Sequence, residues 1–182
     1  AAPVVCPPKA GVRAQSVRTS VGGGRGEARL MSLAEYAEYF SGSCRDPLLY
    51  LKDWRPDEHQ PQYNSHSTPA IFAGDDVLDS GGVLGQDYRF AYLGPGETYT
   101  HLHVDVLRSY SWSTNVCGRK LWKLLPPEQT HFLSGEAALP PVFGGSGALF
   151  PRLGCAEPVV VEQLEGETIF VPAGWHHEVE NL

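Results

Sequence analysis

The 182-residue sequence predicts a mainly β domain of the jelly-roll type with a few short flanking helices. The first observation is a series of short β-branched or apolar runs separated by turn residues, in a chain with 20 Gly and 15 Pro. Such a composition favours many turns and short strands over long helices. The second is that little of the chain has helical spacing. Short strands joined by turns, with few helices, are typical of a sandwich or barrel.

The N-terminal half is predicted to hold one helix. Ser32 and Glu35 have the spacing of a capping box, and apolar residues follow at helical intervals. A helix is therefore expected over 33–40, ending at Gly42. The other predictions in this half are a loop at 11–29, a strand at 48–51 and a surface loop at 54–69.

The C-terminal half is predicted to be almost entirely β. The expected strands are 88–93, 98–107, 109–117, 119–125, 159–161, 168–171 and 175–182. Gly118 separates the runs 109–117 and 119–125, and Pro126-Pro127 ends the run 119–125. The sequence Glu165-Gly166-Glu167 is expected to turn a hairpin between the two β-branched runs beside it. The glycine-rich stretch 134–157 is expected to be an irregular insertion.

Composition makes several classes of protein improbable. The formal charge of −7 argues against a nucleic-acid surface, which needs clustered Lys and Arg. The four cysteines contain no CxxC pair and indicate reduced thiols, not a zinc ribbon or a disulfide scaffold. No apolar run approaches the roughly 20 residues of a membrane span, and no signal peptide opens the chain. We expect a soluble protein of the cytoplasm, with the nucleus as a second compartment.

The sequence His103-Val104-Asp105 is the first candidate for chemistry. Residues i and i+2 of a strand point to one face, so this imidazole and this carboxylate can converge on one ion. A second His would complete the two-His-one-carboxylate facial triad of iron(II) oxygenases, which leaves coordination positions open. The alternative is that His103 and Asp105 are ordinary surface polar residues.

The second imidazole is expected from the pair His176-His177, which lies near the end of the chain after an apolar strand. Strand alternation lets only one of the two face the interior, and spacing alone does not choose between them. The alternative is a pair of half-buried structural histidines. Three other histidines lie in polar, loop-like sequence and are expected to be solvated; they are His59, His66 and His131.

An iron site with open positions needs a cation to anchor an acidic cosubstrate. Lys120 is the candidate, because it opens a strand that is otherwise mostly apolar. Thr100, three residues before His103, offers a hydroxyl donor. Lys120 could instead mark a strand end facing water, and threonine is common in strands.

These motifs together resemble the jumonji C (JmjC) family of iron(II)- and 2-oxoglutarate-dependent oxygenases. The matching segments are Thr100-His-Leu-His103-Val-Asp105, Gly118-Arg-Lys120-Leu-Trp122 followed by Pro126-Pro127, and Gly166-Glu-Thr-Ile-Phe-Val-Pro172-Ala-Gly-Trp-His-His177. The likeness runs from about residue 30 to the end, with 54–86 and 128–157 divergent. Within the family, the chain is most similar to the lysyl hydroxylase group called jumonji-domain-containing protein 4, over 50–54, 87–90, 108–120 and 172–182.

The resemblance implies a cupin-like double-stranded β-helix and a set of site residues. It implies that the metal ligands, which are also the catalytic residues, are His103, Asp105 and His177. It implies that Lys120 and Thr100 bind the far carboxylate of 2-oxoglutarate. Asn115 and Asn181 are the remaining candidates for cosubstrate binding. The family commonly has an asparagine where this sequence has Ser113, so that contact is open between Ser113 and Asn115.

The resemblance also implies a function. Fe(II), 2-oxoglutarate and O2 are the expected cofactors, and the expected reaction hydroxylates a protein side chain, a lysine of a translation release factor. Neither nucleic acid nor membrane is an expected partner. The alternatives are an N-methyl-lysine demethylase, a non-catalytic jumonji-like binding module, and a cupin metalloprotein suggested by His101-Leu-His103. We expect one domain over 1–182 that is truncated at both ends, with its jelly-roll core at 85–182 and strand, helix and loops at 1–84.

Overall fold

A computed structural model describes residues 13–19, 28–43, 46–55, 69–72, 89–133 and 151–182. The described residues form two compact units, the first made of those up to Leu93 and the second of those from Gly94 to Leu182. Within the described ranges, no helix has both the length and the apolar character needed to cross a membrane. The predicted fold class is confirmed, because these residues form mainly antiparallel sheets with few short helices.

Helix α1 of the first unit spans Leu33–Ser41. It begins as predicted: the Ser32 hydroxyl accepts from the Glu35 amide at 3.2 Å, and the Glu35 carboxylate accepts from the Ser32 amide at 2.6 Å. Gly42 ends the helix by donating to the carbonyls of its last turn. The capping-box prediction is therefore confirmed.

A four-stranded sheet of order β2-β1-β3-β4 completes the first unit. Its strands are β1 (Arg13–Thr19), β2 (Ala28–Ser32), β3 (Leu49–Trp54) and β4 (Ala91–Leu93). The loop prediction for 11–29 is wrong at 13–19 and 28–29, because β1 pairs with both β2 and β3 and this ladder holds a polar segment that shows little strand pattern. The rest of that range lies outside the described residues. The strand predicted at 88–93 covers only 91–93, and most of the loop predicted at 54–69 lies outside the described residues.

The second unit is built from two sheets. Its strands are β5 (Tyr99–His103), β6 (Ser111–Thr114), β7 (Lys120–Leu125), β8 (Val159–Gln163), β9 (Thr168–Val171) and β10 (His176–Asn181). The larger sheet has the order β5-β10-β7-β8, and β6 pairs with β9 in the smaller one. The runs predicted at 98–107 and 109–117 are too long, because β5 ends at His103, β6 covers only Ser111–Thr114, and a 3-10 turn at Val106–Arg108 lies between these strands. Of the predicted insertion 134–157, residues 134–150 lie outside the described part.

The hairpin predicted between 159–161 and 168–171 is wrong. Strand β8 pairs with β7 and strand β9 pairs with β6, so the two strands belong to different sheets. The turn between them uses Gly166 at φ 82°, and its Glu167 amide donates to the Leu164 carbonyl at 3.2 Å. The turn is present as predicted, but the chain passes from one sheet to the other there. Which sheet a strand joins depends on its pairing with distant strands, and a local sequence pattern does not contain that information.

Both faces of the larger sheet carry an apolar cluster around its central strands. One face packs Trp122, Leu124 and Val179 against Val171 of the smaller sheet. The opposite face carries a second cluster, which consists of Leu102, Leu125, Leu133 and Leu153. We call the face that carries Trp122, Leu124 and Val179 the inner face, and the opposite one the outer face. A central strand such as β10 is therefore buried on both sides, and polar side chains on it are held away from bulk water.

Candidate metal and cosubstrate site

A β-bulge places two site candidates on the inner face. His177 pairs with His103, whereas Val179 pairs with Thr100. The two paired residues are therefore three positions apart on β5 but only two positions apart on β10. The extra residue in β5 reverses the usual alternation. Thr100 and His103, three positions apart, consequently face the same side of the sheet, the side that also carries His177.

The structure brings the three predicted ligands together. The Asp105 Oδ1 atom lies 3.6 Å from the Nε2 atom of His103 and 3.7 Å from that of His177. One potential ligand atom from each residue lies within 4.8 Å of the other two. The two imidazole centroids are 4.2 Å apart. Because bonds from nitrogen and oxygen ligands to a metal such as zinc are about 2.0–2.2 Å long, a single ion fits among these atoms after small side-chain adjustments.

Backbone carbonyls orient both imidazoles. The Nδ1 atom of His103 lies 2.7 Å from the His101 carbonyl oxygen, and that of His177 lies 3.3 Å from the Trp175 carbonyl oxygen. If each Nδ1 carries the proton and donates it, each Nε2 keeps its lone pair towards Asp105. This is the arrangement in which a ligating histidine is usually held by its second nitrogen.

Electrostatics favour the ionisation states that a metal requires. Burial opposes ionisation of Asp105, but the neighbouring His103 side chain, the hydrogen bond from Ser111 and the nearby His177 together outweigh it and lower the pKa of this carboxyl. Burial, followed by the neighbouring His103, lowers the pKa of His177 to about 4. At neutral pH the carboxylate is therefore ionised and the buried imidazole is neutral, and both forms can ligate a cation.

His176 and His177 are both buried but face opposite ways. His177 packs against Trp122 with ring centroids 5.9 Å apart and points towards His103. His176 lies on the opposite face, where its Nδ1 atom is 3.5 Å from the Thr130 hydroxyl. Only one of the pair therefore reaches the inner face, in accord with strand alternation, and burial of His176 follows from the covered outer face.

A chain of hydrogen bonds supports Lys120 at the inner face. The Lys120 ammonium donates to Asn181 Oδ1 at 2.6 Å, and Asn181 Nδ2 donates to the Thr98 hydroxyl at 2.8 Å. Thr98 is fully buried and donates in turn to the Pro95 carbonyl at 2.6 Å. Burial lowers the pKa of Lys120, opposed by the nearby Cys117. Sequence reasoning missed Thr98, because only the pairing of β5 with β10 reveals its contact with Asn181.

The remaining candidates lie along β5 and β6. Thr100 pairs with Val179, opposite Trp122 on the next strand, and so shares the inner face with Lys120. Asn115 is buried, and its amide donates to the Gly118 carbonyl at 2.8 Å. That contact ties Asn115 to the turn before β7. Ser111 and Ser113 are two residues apart on β6 and therefore point to the same face. Because Ser111 contacts Asp105, both serines face inwards.

The donor set fits a ferrous ion. Two imidazole nitrogens and one carboxylate oxygen are the ligands of the iron(II) facial triad, and they leave coordination positions free. The side chain of His103 is 38% exposed and that of Asp105 is 23% exposed, so the triad is open to solvent on that side. A cosubstrate and a substrate can therefore approach the ion, while Trp122 and His177 close the opposite side.

Comparison with known proteins agrees with this geometry. Residues 26–182 match the family model described as "Cupin-like domain". The chain is 38% identical over 167 residues to the 2-oxoglutarate and iron-dependent oxygenase JMJD4 of Danio rerio, covering 85% of this chain and 40% of that protein. It is 39% identical over 170 residues to the human protein of the same name, covering 84% and 40%.

A plant relative has a different name. The Arabidopsis thaliana protein named arginine-specific demethylase JMJ20 is 37% identical over 174 residues, covering 84% of this chain and 38% of the relative. The chain thus spans about 40% of the length of these curated relatives. The family match extends over most of the chain and includes the whole of the described site. The chain therefore belongs to the cupin-like JmjC domain family.

Proposed function

We propose that this chain carries the catalytic centre of an Fe(II)- and 2-oxoglutarate-dependent dioxygenase that hydroxylates a protein side chain. The observation that carries the proposal is the convergence of His103, Asp105 and His177 from β5, its following turn and β10. Relatives named 2-oxoglutarate and iron-dependent oxygenase support it. Iron(II), when bound, would activate O2, the oxidant, so that 2-oxoglutarate, O2 and a substrate C–H bond give succinate, CO2 and a substrate C–OH group.

The chain's own residues bind and orient in this proposal. His103, Asp105 and His177 would hold the ion through two nitrogens and one oxygen. Lys120 bonds to a neutral amide oxygen, so an incoming carboxylate would supply the negative charge that offsets burial of its ammonium group. Asn181 and Thr98 keep the ammonium in place. Thr100 adds a hydroxyl donor on the same face.

For the substrate we propose a lysine of a translation release factor, encountered in the cytoplasm. The support is the resemblance of 50–54, 87–90, 108–120 and 172–182 to the jumonji-domain-containing protein 4 group. The names of the JMJD4 relatives give the oxygenase class without a substrate.

Demethylation is the second candidate function, because a relative at 37% identity is named an arginine-specific demethylase. The two reactions share the metal centre. Hydroxylation of an N-methyl group gives a hemiaminal, which breaks down to formaldehyde and the demethylated nitrogen. The fate of the substrate therefore separates them.

The test is an anaerobic titration of the purified chain with Fe(II) and 2-oxoglutarate, followed by addition of O2 and a release-factor peptide. We expect saturable binding of both, substrate-dependent succinate and a mass gain of one oxygen on the peptide. Formaldehyde and methyl loss from a methylated peptide would favour demethylation. Asp105→Ala serves as the control without the carboxylate ligand. Equal succinate release by that variant and the unaltered chain would refute the proposal.

A further inference from the structure

We propose that Ser111 is a positioning residue of the metal centre, whose hydroxyl holds one carboxylate oxygen of Asp105 so that the other faces both imidazoles. The inference rests on the proposed function, and it adds a residue that is neither a predicted metal ligand nor a predicted cosubstrate contact. Ser111 does not touch the ion in this proposal. It acts only through Asp105.

Asp105 needs such support because its own backbone does not direct its side chain. Strand β5 ends at His103, so no ladder hydrogen bonds hold residue 105. Asp105 is the N-cap residue of the 3-10 turn Val106–Arg108, where aspartate side chains commonly accept from the turn's amides. Here the Asp105 side chain makes no such cap bond. Its carboxylate is directed into the site.

Ser111 supplies the missing constraint from the other sheet. It is the first residue of β6, paired with the buried Val171 of β9. Its hydroxyl donates to Asp105 Oδ2 at 2.6 Å, a length typical of a hydroxyl bound to an ionised carboxylate. The other oxygen, Oδ1, is the atom that lies 3.6 and 3.7 Å from the two Nε2 atoms. The two carboxylate oxygens thus have separate partners.

Loss of this hydroxyl leaves Oδ2 without its donor and lets the carboxylate rotate. Both oxygens can then compete for the ion, and the single-oxygen arrangement is no longer preferred. Changes in residues that orient metal ligands typically reduce metal affinity about 10- to 100-fold. We expect a reduction in this range for Ser111→Ala.

The experiment measures metal binding, so that it does not depend on turnover. Mn(II) is the oxygen-stable probe, titrated by its paramagnetic resonance signal, and anaerobic Fe(II) competition gives the ferrous affinity. The variants are Ser111→Ala and Ser111→Thr, in which the β-branched residue suits a strand and restores the hydroxyl. Thr114→Ala is the matched control: its hydroxyl lies on the same strand but contacts Thr168 at 2.7 Å.

We expect Ser111→Ala to bind Mn(II) and Fe(II) about 10- to 100-fold more weakly. Ser111→Thr and Thr114→Ala should bind within about 2- to 3-fold of the unaltered chain. The absorption of Co(II) bound at saturation should change only in Ser111→Ala, because its carboxylate coordination changes. Thermal midpoints without metal show whether each variant folds, and a folded Ser111→Thr that recovers affinity identifies the hydroxyl even if Ser111→Ala is unstable.

Two results would overturn the inference in different ways. Unchanged metal affinity and an unchanged Co(II) spectrum in folded Ser111→Ala would refute the role of Ser111 and leave the proposed function standing. Absence of metal binding by the unaltered chain would refute both.

Discussion

The three candidate ligands are held in different ways. His103 and His177 are strand residues, and their second nitrogens lie against backbone carbonyls of the same strand or turn. Asp105 lies outside a strand and is held by Ser111. Sequence patterns could predict His103 and Asp105 from their local spacing, whereas the resemblance to the JmjC family, and not spacing, selects His177 over His176. Sequence patterns could not predict Ser111 or Thr98, because each contact joins segments whose approach is decided by tertiary packing.

Burial of the Lys120 ammonium group is expected to lower the stability of the fold, although the same group binds the cosubstrate. Burial lowers its pKa, so folding disfavours its charged form. Lys120→Met should bind 2-oxoglutarate about 10- to 100-fold more weakly, as expected for loss of a hydrogen bond to a charged group. Its thermal midpoint should equal or exceed that of the unaltered chain, and its affinity for Fe(II) should not change. Calorimetric titration and thermal unfolding measure these quantities.

Lys123→Met is the matched control for that prediction. Lys123 is three residues along the same strand and pairs with the buried Glu178 at 2.7 Å. Its substitution should lower the thermal midpoint and leave 2-oxoglutarate affinity unchanged. If the two variants lost stability to the same degree, the assignment of Lys120 as an anchor for a cosubstrate would lose its main physical support.

The stability difference between the unaltered chain and Lys120→Met should also depend on pH. The folded pKa of Lys120 lies below 10.5, so the unfolded chain binds more protons in the interval between them. The cost of the buried charge is complete below the folded pKa and disappears as pH rises towards 10.5. Denaturant unfolding at pH 8, 9 and 10 should show the gap narrowing. A gap that widens with pH would contradict the assigned direction.

At the scale of elements, Gln163 joins the two sheets that the site needs. Its side-chain oxygen Oε1 accepts from Trp122 Nε1 at 2.8 Å. Its side-chain nitrogen Nε2 donates to the backbone carbonyls of Ser113 and Glu167 at 2.8 and 2.9 Å. Gln163 is the last residue of β8, just where the chain leaves one sheet for the other. The glycine and acidic residues after β8 predict a turn, and hence a hairpin. They do not show that β8 pairs with β7 and β9 with β6, because these pairings depend on strands that are distant in the sequence.

Gln163→Leu is therefore expected to destabilise the chain strongly. Leaving the buried Trp122 Nε1 unpaired costs about 1–3 kcal/mol, and the lost bonds to the carbonyls of Ser113 and Glu167 add about 0.5–1.5 kcal/mol each, so the free energy of unfolding should fall by roughly 3 kcal/mol. Gln129→Leu is the control, because its amide oxygen accepts from the Glu157 amide in exposed surroundings. That substitution should cost less than about 1 kcal/mol. Equal losses in urea unfolding would show that the connection between sheets contributes little.

At the scale of the whole molecule, the metal is expected to stabilise the fold. The ligands come from both ends of the second unit's sequence, and His103 and His177 pair across β5 and β10. An ion that binds only the folded chain adds about 2.7 kcal/mol when its concentration is 100 times its Kd. Mn(II) should therefore raise the thermal midpoint, and a chelator should reverse the rise. Asp105→Ala should show little response, and a similar rise in that variant would indicate binding elsewhere.

The iron content of the anaerobically reconstituted chain at equilibrium is the direct test of the three-residue metal centre. We expect about one Fe(II) per chain for the unaltered protein. We expect large losses in His103→Ala, Asp105→Ala and His177→Ala, with no loss in His176→Ala, whose ring faces the opposite side of β10. Retention of iron by the three ligand variants, or its loss in His176→Ala with His177→Ala unaffected, would refute this metal centre.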